Sequence, residues 1–425
     1  MTRSYFAKWL PSGMQSMIAG FAAYASAEAV TRVIRLVSII VIARFTSPAI
    51  LGTAALTLSL FELVRVLANA GIGQRIIVAS DQELDAICNM ARRLFWLCCG
   101  LVALVQLGVA AVLALIFGQS DAAVMLAVLS AVYLIMPPGL VQIFLLMREG
   151  RMAATARIGA SQTILDHIFT MVLVVIWPTA WAIVLPKLLT APVWTLLARR
   201  ARPWTPHLTA GRAPAAAFRG MAGGILLSEM MTALRAQADK LIVGALFGTQ
   251  MLGVYYFAFN AGLGIAQSLV TAFGIVLFPH LSKVSAAAQR LIEARRAVMF
   301  GAALFVPLIA AQSALAPFYV PVLFGDNWAN SASYVAIMAL GGLPLFAAAS
   351  LGAFYRANQT AGVEAKLGIA ATIAALGGLL LGAQISLSAA CWGYVLGMAI
   401  VFLPRALREF SARPATSLSP ERITT

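Results

Sequence analysis

Apolar runs of about twenty residues recur along the chain, separated by short polar segments rich in arginine. A helix climbs ~1.5 Å per residue, so ~20 apolar residues are needed to cross ~30 Å of hydrocarbon. Runs of that kind fall at residues 21–43, 49–70, 94–117, 122–146, 158–177, 179–198, 220–247, 252–277, 297–323, 331–352, 364–383 and 385–404, which predicts twelve transmembrane helices. Composition points the same way: 61% of residues are hydrophobic and only 11% are charged, with a mean hydropathy of +0.91. Such a chain lies far outside the soluble range and is expected to be an all-α polytopic membrane protein.

The net charge of +15 would suit nucleic acid, but the basic residues alternate with the apolar runs instead of forming one patch. With the N-terminus in the cytoplasm, twenty-three of them, among them Arg92, Arg93, Arg148, Arg199, Arg200, Arg212, Arg296 and Arg405, fall on the cytoplasmic side. At most Arg44 falls on the other. That asymmetry is the positive-inside signature, so both termini are expected in the cytoplasm and no nucleic-acid partner is implied. Arg3 and Lys8 ahead of "MIAGFAAYASA" imitate a cleavable leader, but Pro11, Ser12, Gly13, Gln15 and Ser16 interrupt its apolar core. Residues 4–19, with Tyr5, Phe6, Trp9 and Leu10, are expected to lie along the interface instead. Trp194, Trp204, Trp328 and Tyr334, at the ends of runs, read as interfacial anchors. Cys88, Cys98, Cys99 and Cys391 have no metal-type spacing and read as packing residues, so neither metal nor other cofactor is expected.

The chain also resembles itself. "ARFTSPAILGTAAL" at 43–56 parallels "ALFGTQMLGVYYF" at 245–257, setting Leu51-Gly52 on Leu252-Gly253. "FGQSDAA" at 117 parallels "FGDNWAN" at 324, Arg148 parallels Arg356, and Gly159 parallels Gly368. The offset drifts slowly, as loop insertions would make it. Six runs per half bring both halves into the membrane from the same side, the parallel kind of repeat. Two six-helix lobes, 1–205 and 206–425, are expected, joined by the basic stretch 199–219 and related by a pseudo-twofold axis, with a cavity between them.

Two runs carry charges. Glu28, Arg32 and Arg35 follow i, i+4, i+7 spacing on the first, and Ser228, Thr232, Arg235 and Asp239 extend the same spacing on the seventh. Each set shares one helix face. An ionisable group at mid-bilayer costs on the order of 3 kcal/mol or more, so these faces should meet a cavity or each other. Across all runs Arg32, Arg35, Arg65, Lys187, Arg235 and Lys240 stand against Glu28, Glu62, Asp166, Glu229 and Asp239. Two readings follow: a cavity wall in which Arg35, Arg32 or Arg235 meets a ligand, or local pairs of Glu28 with Arg32, Glu62 with Arg65, and Arg235 with Asp239. Pro186-Lys187 is expected to kink its helix and present a cation, and Asp166 beside His167 is a candidate coupling acid or a structural hydrogen-bonding group.

The stretch "RAQADKLIVGALFGTQMLGVYYFAFN", with "LFPHLSK", "VLFGDNWANSA" and "ANAGIGQRII", resembles the polysaccharide transporter family. These are bacterial oligosaccharide-lipid flippases related to multidrug and toxin extrusion proteins and to the lipid II flippase. The resemblance runs in order along essentially the whole chain. It implies an inner-membrane protein that moves a polyprenyl-diphosphate-linked oligosaccharide through a cationic cavity by alternating access, for exopolysaccharide, capsule or O-antigen synthesis, alongside polymerase and export machinery. Carried over, the cavity cations are Arg32, Arg35, Arg65, Arg235 and Lys240, with Glu28, Glu229, Asp239 and Asp166 as coupling or pairing acids. Lipid II flippases usually carry two further helices, which argues against that subtype.

Two rival functions fit parts of the same pattern. A drug or organic-cation antiporter of the same superfamily would make acids such as Glu28, Glu229 and Asp239 the dominant charge. A membrane polymerase or ligase acting on lipid-linked sugars would need a substantial outer loop, and the predicted outer loops are a few residues long. No nucleophile constellation or phosphate-cradling glycine loop is present in the sequence, so no enzyme is expected.

Overall fold

A computed structural model describes residues 31–69 and 71–411. Glu28 and the interfacial stretch 4–19 lie outside the described residues. The chain is helical throughout this range, with α1 (31–45) followed by α2 (Pro48–Arg65), α3 (Ile72–Val78), α4 (Leu84–Leu115), α5 (Ser120–Leu129), α6 (Val132–Ile135) and α7 (Pro137–Arg148). Then come α8 (Met152–Ile176), α9 (Ala180–Val184), α10 (Pro186–Ala201), α11 (Arg219–Ala258), α12 (Gly264–Ser282) and α13 (Ala287–Phe324). The last four are α14 (Ala332–Leu340), α15 (Gly342–Ala357), α16 (Ala361–Ala383) and α17 (Leu387–Ser411).

Proline and glycine punctuate the spans as backbone chemistry requires. Pro48 opens α2 behind the Ser47 cap, whose hydroxyl accepts from the Ile50 amide at 3.4 Å. Pro137 opens α7, and the helices either side of it are bent by 56°. Pro186 divides α9 from α10. Gly248, at φ 81 and ψ 174, breaks α11 into two helices. Among the described residues nine helices are long and apolar enough to cross a membrane, and the bent pair supplies a tenth. Counting α1 and dividing α11 at Gly248 makes this fit twelve crossings. Both α4 and α13 begin ten residues ahead of their apolar runs, because the preceding stretches "LDAICNMARR" and "AAQRLIEARR" form helix without being lipid-soluble. Hydropathy reads the lipid-facing part of a helix and misses its wet extension.

Two compact units emerge, one running to Tyr256 with Leu323–Trp328, the other comprising Phe257–Val322 and the chain from Ala329 onward. In the first unit, Phe61 stacks on Tyr133 and Phe95 on Phe144, each pair with ring centroids 5.8 Å apart. The buried Tyr133 hydroxyl donates to Gln106 Oε1 at 2.9 Å, and Gln106 Nε2 donates to the Leu126 carbonyl at 2.7 Å. In the second unit, Phe273, Phe305 and Phe346 form one aromatic cluster. A π-helical turn at Phe259–Leu263 displaces carbonyls from the regular ladder there. Gln312 Nε2 donates to two of them, Ala261 and Gly262, at 3.2 and 2.9 Å, which is how such a bulge avoids unsatisfied polar groups.

Backbone features recur at the repeat positions. Gly118 and Gly325 both take left-handed φ, at 65° and 97°, and so do Gly150 and Gln359, at 68° and 59°. Gly52 and Gly253, matched in sequence, touch one another inside the first unit. A Cβ added to either would lie 2.9 Å from the other's nitrogen, and would overlap the carbonyl oxygen of Thr249 or of Pro48 respectively. Those two carbonyl residues are themselves repeat equivalents, so the contact is near-symmetric. One expectation fails close by: Trp328 is not an interfacial anchor but fully buried, its Nε1 donating to the Ala43 carbonyl at 2.7 Å. Arg44 Nε donates to the Leu323 carbonyl at 2.9 Å in the same neighbourhood.

Gly52→Ala or Gly253→Ala should lower stability by about 1–3 kcal/mol, since backbone cannot yield to the added methyl. Gly100→Ala, where an added Cβ meets nothing within 4 Å, should not, and thermal unfolding in detergent compares them. Trp328→Ala should cost about 3–5 kcal/mol, and Trp328→Phe, which loses mainly the hydrogen bond, about 1 kcal/mol in the same assay.

Candidate functional site

Every expected site residue that is described lies in the first compact unit. On α1, Arg35 is exposed and Arg32 half-buried. Arg35 lies near enough to His167 of α8 for its charge to act on the imidazole. On α11, Glu229 and Arg235 are exposed, whereas Asp239 and Lys240 are buried. The expected pairing of Arg235 with Asp239 is not what the structure holds. Asp239 instead lies 3.2 Å from the Lys240 ammonium and accepts a 2.9 Å hydrogen bond from the Tyr255 hydroxyl. Lys240 also donates to the Ala236 carbonyl at 2.7 Å. The reason is length and direction: a lysine can fold back over its own helix onto the carbonyl a turn earlier, while Arg235 projects from the exposed face. Lys240, expected as a cavity cation, is thereby neutralised in place.

The remaining charges converge on one cavity. Glu62 and Arg65 project from the end of α2, Gln162, Thr163 and Asp166 from one face of α8, and Lys187 and Thr190 from the start of α10. The cavity, partly open, has a volume of about 180 Å³. Arg65 grips Glu62 Oε2 through Nε at 2.9 Å and Nη2 at 2.6 Å, the local pair that i, i+3 spacing permits. Lys187 Nζ meets Asp166 Oδ2 at 2.7 Å. The Asp166 side chain is only 9% exposed, and its second oxygen, Oδ1, is buried with no hydrogen-bond partner. Thr163 and Thr190 spend their hydroxyl protons on carbonyls of their own helices, those of Gly159 and Pro186. The break at Pro186 places Lys187 at the first turn of α10, where its chain reaches across to α8. Sequence reasoning flagged Arg65, Asp166 and Lys187 separately. It missed that α2, α8 and α10 bring them together, and it passed over Gln162, whose only sequence signal is an amide four residues ahead of Asp166 in an apolar helix.

On the cytoplasmic side of the expected topology, Arg148 donates to the Ile77 and Ala79 carbonyls and pairs with Asp81 at 2.5 Å, clamping α7 to the turn after α3. Arg202 donates to Glu149 at 2.6 Å, and that hydrogen bond holds the Glu149 carboxyl below its ordinary range. No group of three or more metal-ligating side chains occurs among the described residues.

The fold and these buried charges define a polytopic membrane protein of transporter architecture. A multidrug resistance MATE family transporter of the MOP superfamily, in an inward-facing conformation, superposes with a TM-score of 0.64 at 15% identity over 91% of this chain and 97% of that one. The lipid II flippase MurJ, inward closed, gives 0.71 at 11% identity, covering 92% of this chain and 88% of its own. More particularly, the chain belongs to the family described as polysaccharide biosynthesis protein, whose model matches residues 41–333. Among its relatives is the lipopolysaccharide biosynthesis protein WzxC of Escherichia coli (strain K12), 22% identical over 86% of this chain and 74% of that protein. The succinoglycan biosynthesis transport protein ExoT of Rhizobium meliloti (strain 1021) is 21% identical over 72% of this chain, which spans 62% of that protein's length.

Breaking the Asp166–Lys187 pair on one side leaves the other charge stranded. Asp166→Ala and Lys187→Ala should each cost about 1–3 kcal/mol, less than for a fully buried pair because Lys187 is partly exposed, whereas Asp166→Leu with Lys187→Met together should come close to neutral. Thermal unfolding of the three variants reads this directly.

Proposed function

We propose that the protein is a flippase that carries a polyprenyl-diphosphate-linked oligosaccharide from the cytoplasmic to the outer leaflet of a bacterial inner membrane by alternating access, for exopolysaccharide, capsule or O-antigen synthesis. Family membership, the lipopolysaccharide biosynthesis named for WzxC and the succinoglycan biosynthesis transport named for ExoT support the substrate class. The positive-inside bias supports an orientation with both termini cytoplasmic. Two six-helix lobes with the substrate cavity between them, and hand-over to polymerase and export machinery, complete the reading.

One observation carries it. Arg35 and Arg235, on repeat-related polar stripes, are exposed and enter no hydrogen bond or ion pair among the described residues, while Glu62, Asp166 and Asp239 are already engaged. Acids neutralised internally and arginines left open make a surface for an anion. Guanidinium presents donors in a fork that matches diphosphate oxygens, so two arginines hold the head group by geometry as well as charge. Substrate that engages them in one orientation of the lobes and not the other supplies the differential affinity that drives the switch. Arg65, expected among these cations, is gripped by Glu62 and is not one of the open guanidinium groups.

Glu229, exposed on α11, is the observation that favours the other reading, an organic-cation antiporter. Purified protein with polyprenyl diphosphate-oligosaccharide, with polyprenol lacking phosphate, and with organic cations separates the two. A ligand at a hundredfold excess over its Kd should add ~2.7 kcal/mol to apparent stability. The diphosphate lipid alone should stabilise, and Arg35→Ala or Arg235→Ala should abolish both that effect and flipping in proteoliposomes while leaving the unliganded protein folded. Stabilisation by organic cations that Glu229→Gln removes would refute the flippase reading.

A further inference from the structure

The cavity between α2, α8 and α10 has a chemistry unlike that of the open arginines. Its two carboxylates, Glu62 and Asp166, are balanced by Arg65 and Lys187, each ion pair closed at 2.6–2.7 Å. Net charge is therefore near zero, which disfavours a diphosphate. A free cation is disfavoured as well, because the Lys187 ammonium already sits on Asp166 and would repel it.

What the walls do offer is unspent hydrogen bonding of both signs. Asp166 Oδ1 is buried and without a partner. Gln162 makes no hydrogen bond among the described residues, leaving its amide free to donate and accept. Lys187 has spent one ammonium proton on a side chain, and Arg65 has used Nε and Nη2 on Glu62, leaving Nη1. A buried acceptor left open costs about 1–3 kcal/mol, so a donor that reaches the Asp166 carboxylate recovers part of that cost. Phe61 contributes an apolar patch beside these polar groups. The volume of about 180 Å³ is room for about six waters at ~30 Å³ each, which is on the scale of a pyranose ring.

We propose that this cavity is a subsite for an uncharged, hydroxyl-rich sugar ring, in which the Asp166 carboxylate and the Gln162 amide engage neighbouring hydroxyls. A hydroxyl is donor and acceptor at once, so a polyol satisfies a neutral wall of mixed polarity where neither an anion nor a metal ion does. The cavity then reads the glycan while Arg35 and Arg235 hold the diphosphate. This inference rests on the flippase reading for the identity of the sugar's carrier.

The test has two arms on the full chain. In the first, D-glucose, D-galactose, D-mannose and N-acetyl-D-glucosamine are titrated against unfolding midpoint, with sodium chloride and inorganic pyrophosphate as controls. At least one sugar should raise the midpoint, and Gln162→Ala and Asp166→Asn should each weaken its apparent Kd by about tenfold or more. In the second, proteoliposomes carry either the polyprenyl diphosphate-oligosaccharide or a polyprenyl diphosphate without sugar. Both variants should slow the glycosylated lipid and spare the bare one. Failure of every sugar to shift the midpoint, a shift that survives Gln162→Ala, or equal slowing of both lipids would overturn the proposal. A midpoint that answers to sodium and not to sugar, and loses that answer in Asp166→Asn, would make the cavity a cation site and overturn it too. Gln162→Ala leaves both ion pairs intact, so the test survives if Asp166→Asn misfolds. If the wild-type protein moves neither lipid, the flippase reading fails, and the sugar titration still decides the subsite.

Discussion

Charge in hydrocarbon must find a partner or water, and this requirement organises the interior. With only 11% of its residues charged, the chain places ionisable groups inside its helices sparingly. Three acids placed there are held in tight pairs, Glu62 with Arg65, Asp166 with Lys187 and Asp239 with Lys240. Each pair removes the penalty that an isolated ion would incur. Each also withdraws an acid from any role as a free negative centre. Arg35 and Arg235 stand out because their helices expose them instead.

The same requirement acts on the backbone. Where the π-helical turn at Phe259–Leu263 interrupts the helix ladder, Gln312 takes up two of the freed carbonyls. Trp328 behaves comparably, giving its indole proton to a carbonyl at the end of α1. Interruptions so compensated are where a packed helical protein can hold two arrangements of nearly equal energy, because the partners are few and directional. The close passage of Gly52 against Gly253 adds the opposite property, a contact too tight to deform gradually.

Under the proposed function, substrate recognition divides its labour. Open guanidinium groups suit a polyanionic head group, and a neutral, mixed-polarity cavity suits a glycan. Keeping the two chemistries apart avoids a single deep basic pocket, which would bind the diphosphate tightly in every state and hold it there. A transporter needs affinity that differs between its states, and distributed partial contacts make such a difference easier to produce.

Membrane residence, all-helical architecture, the approximate crossings and the internal repeat were legible in the sequence, because hydropathy and periodicity are local properties that a bilayer converts directly into structure. Helical spacing alone put Arg235 and Asp239 on one expected stripe, but the structure exposes Arg235 and buries Asp239. The wet extensions of α4 and α13 were not legible, as nothing in hydropathy separates a polar helix from a polar loop. Nor were the partners: Asp239 chose Lys240 and Tyr255 over Arg235, and Trp328 was buried, not at an interface. The cavity joining α2, α8 and α10 depends on residues from Glu62 to Thr190 meeting across three helices. Which side chains meet at such separations is set by how helices cross, and only the tertiary structure decides that.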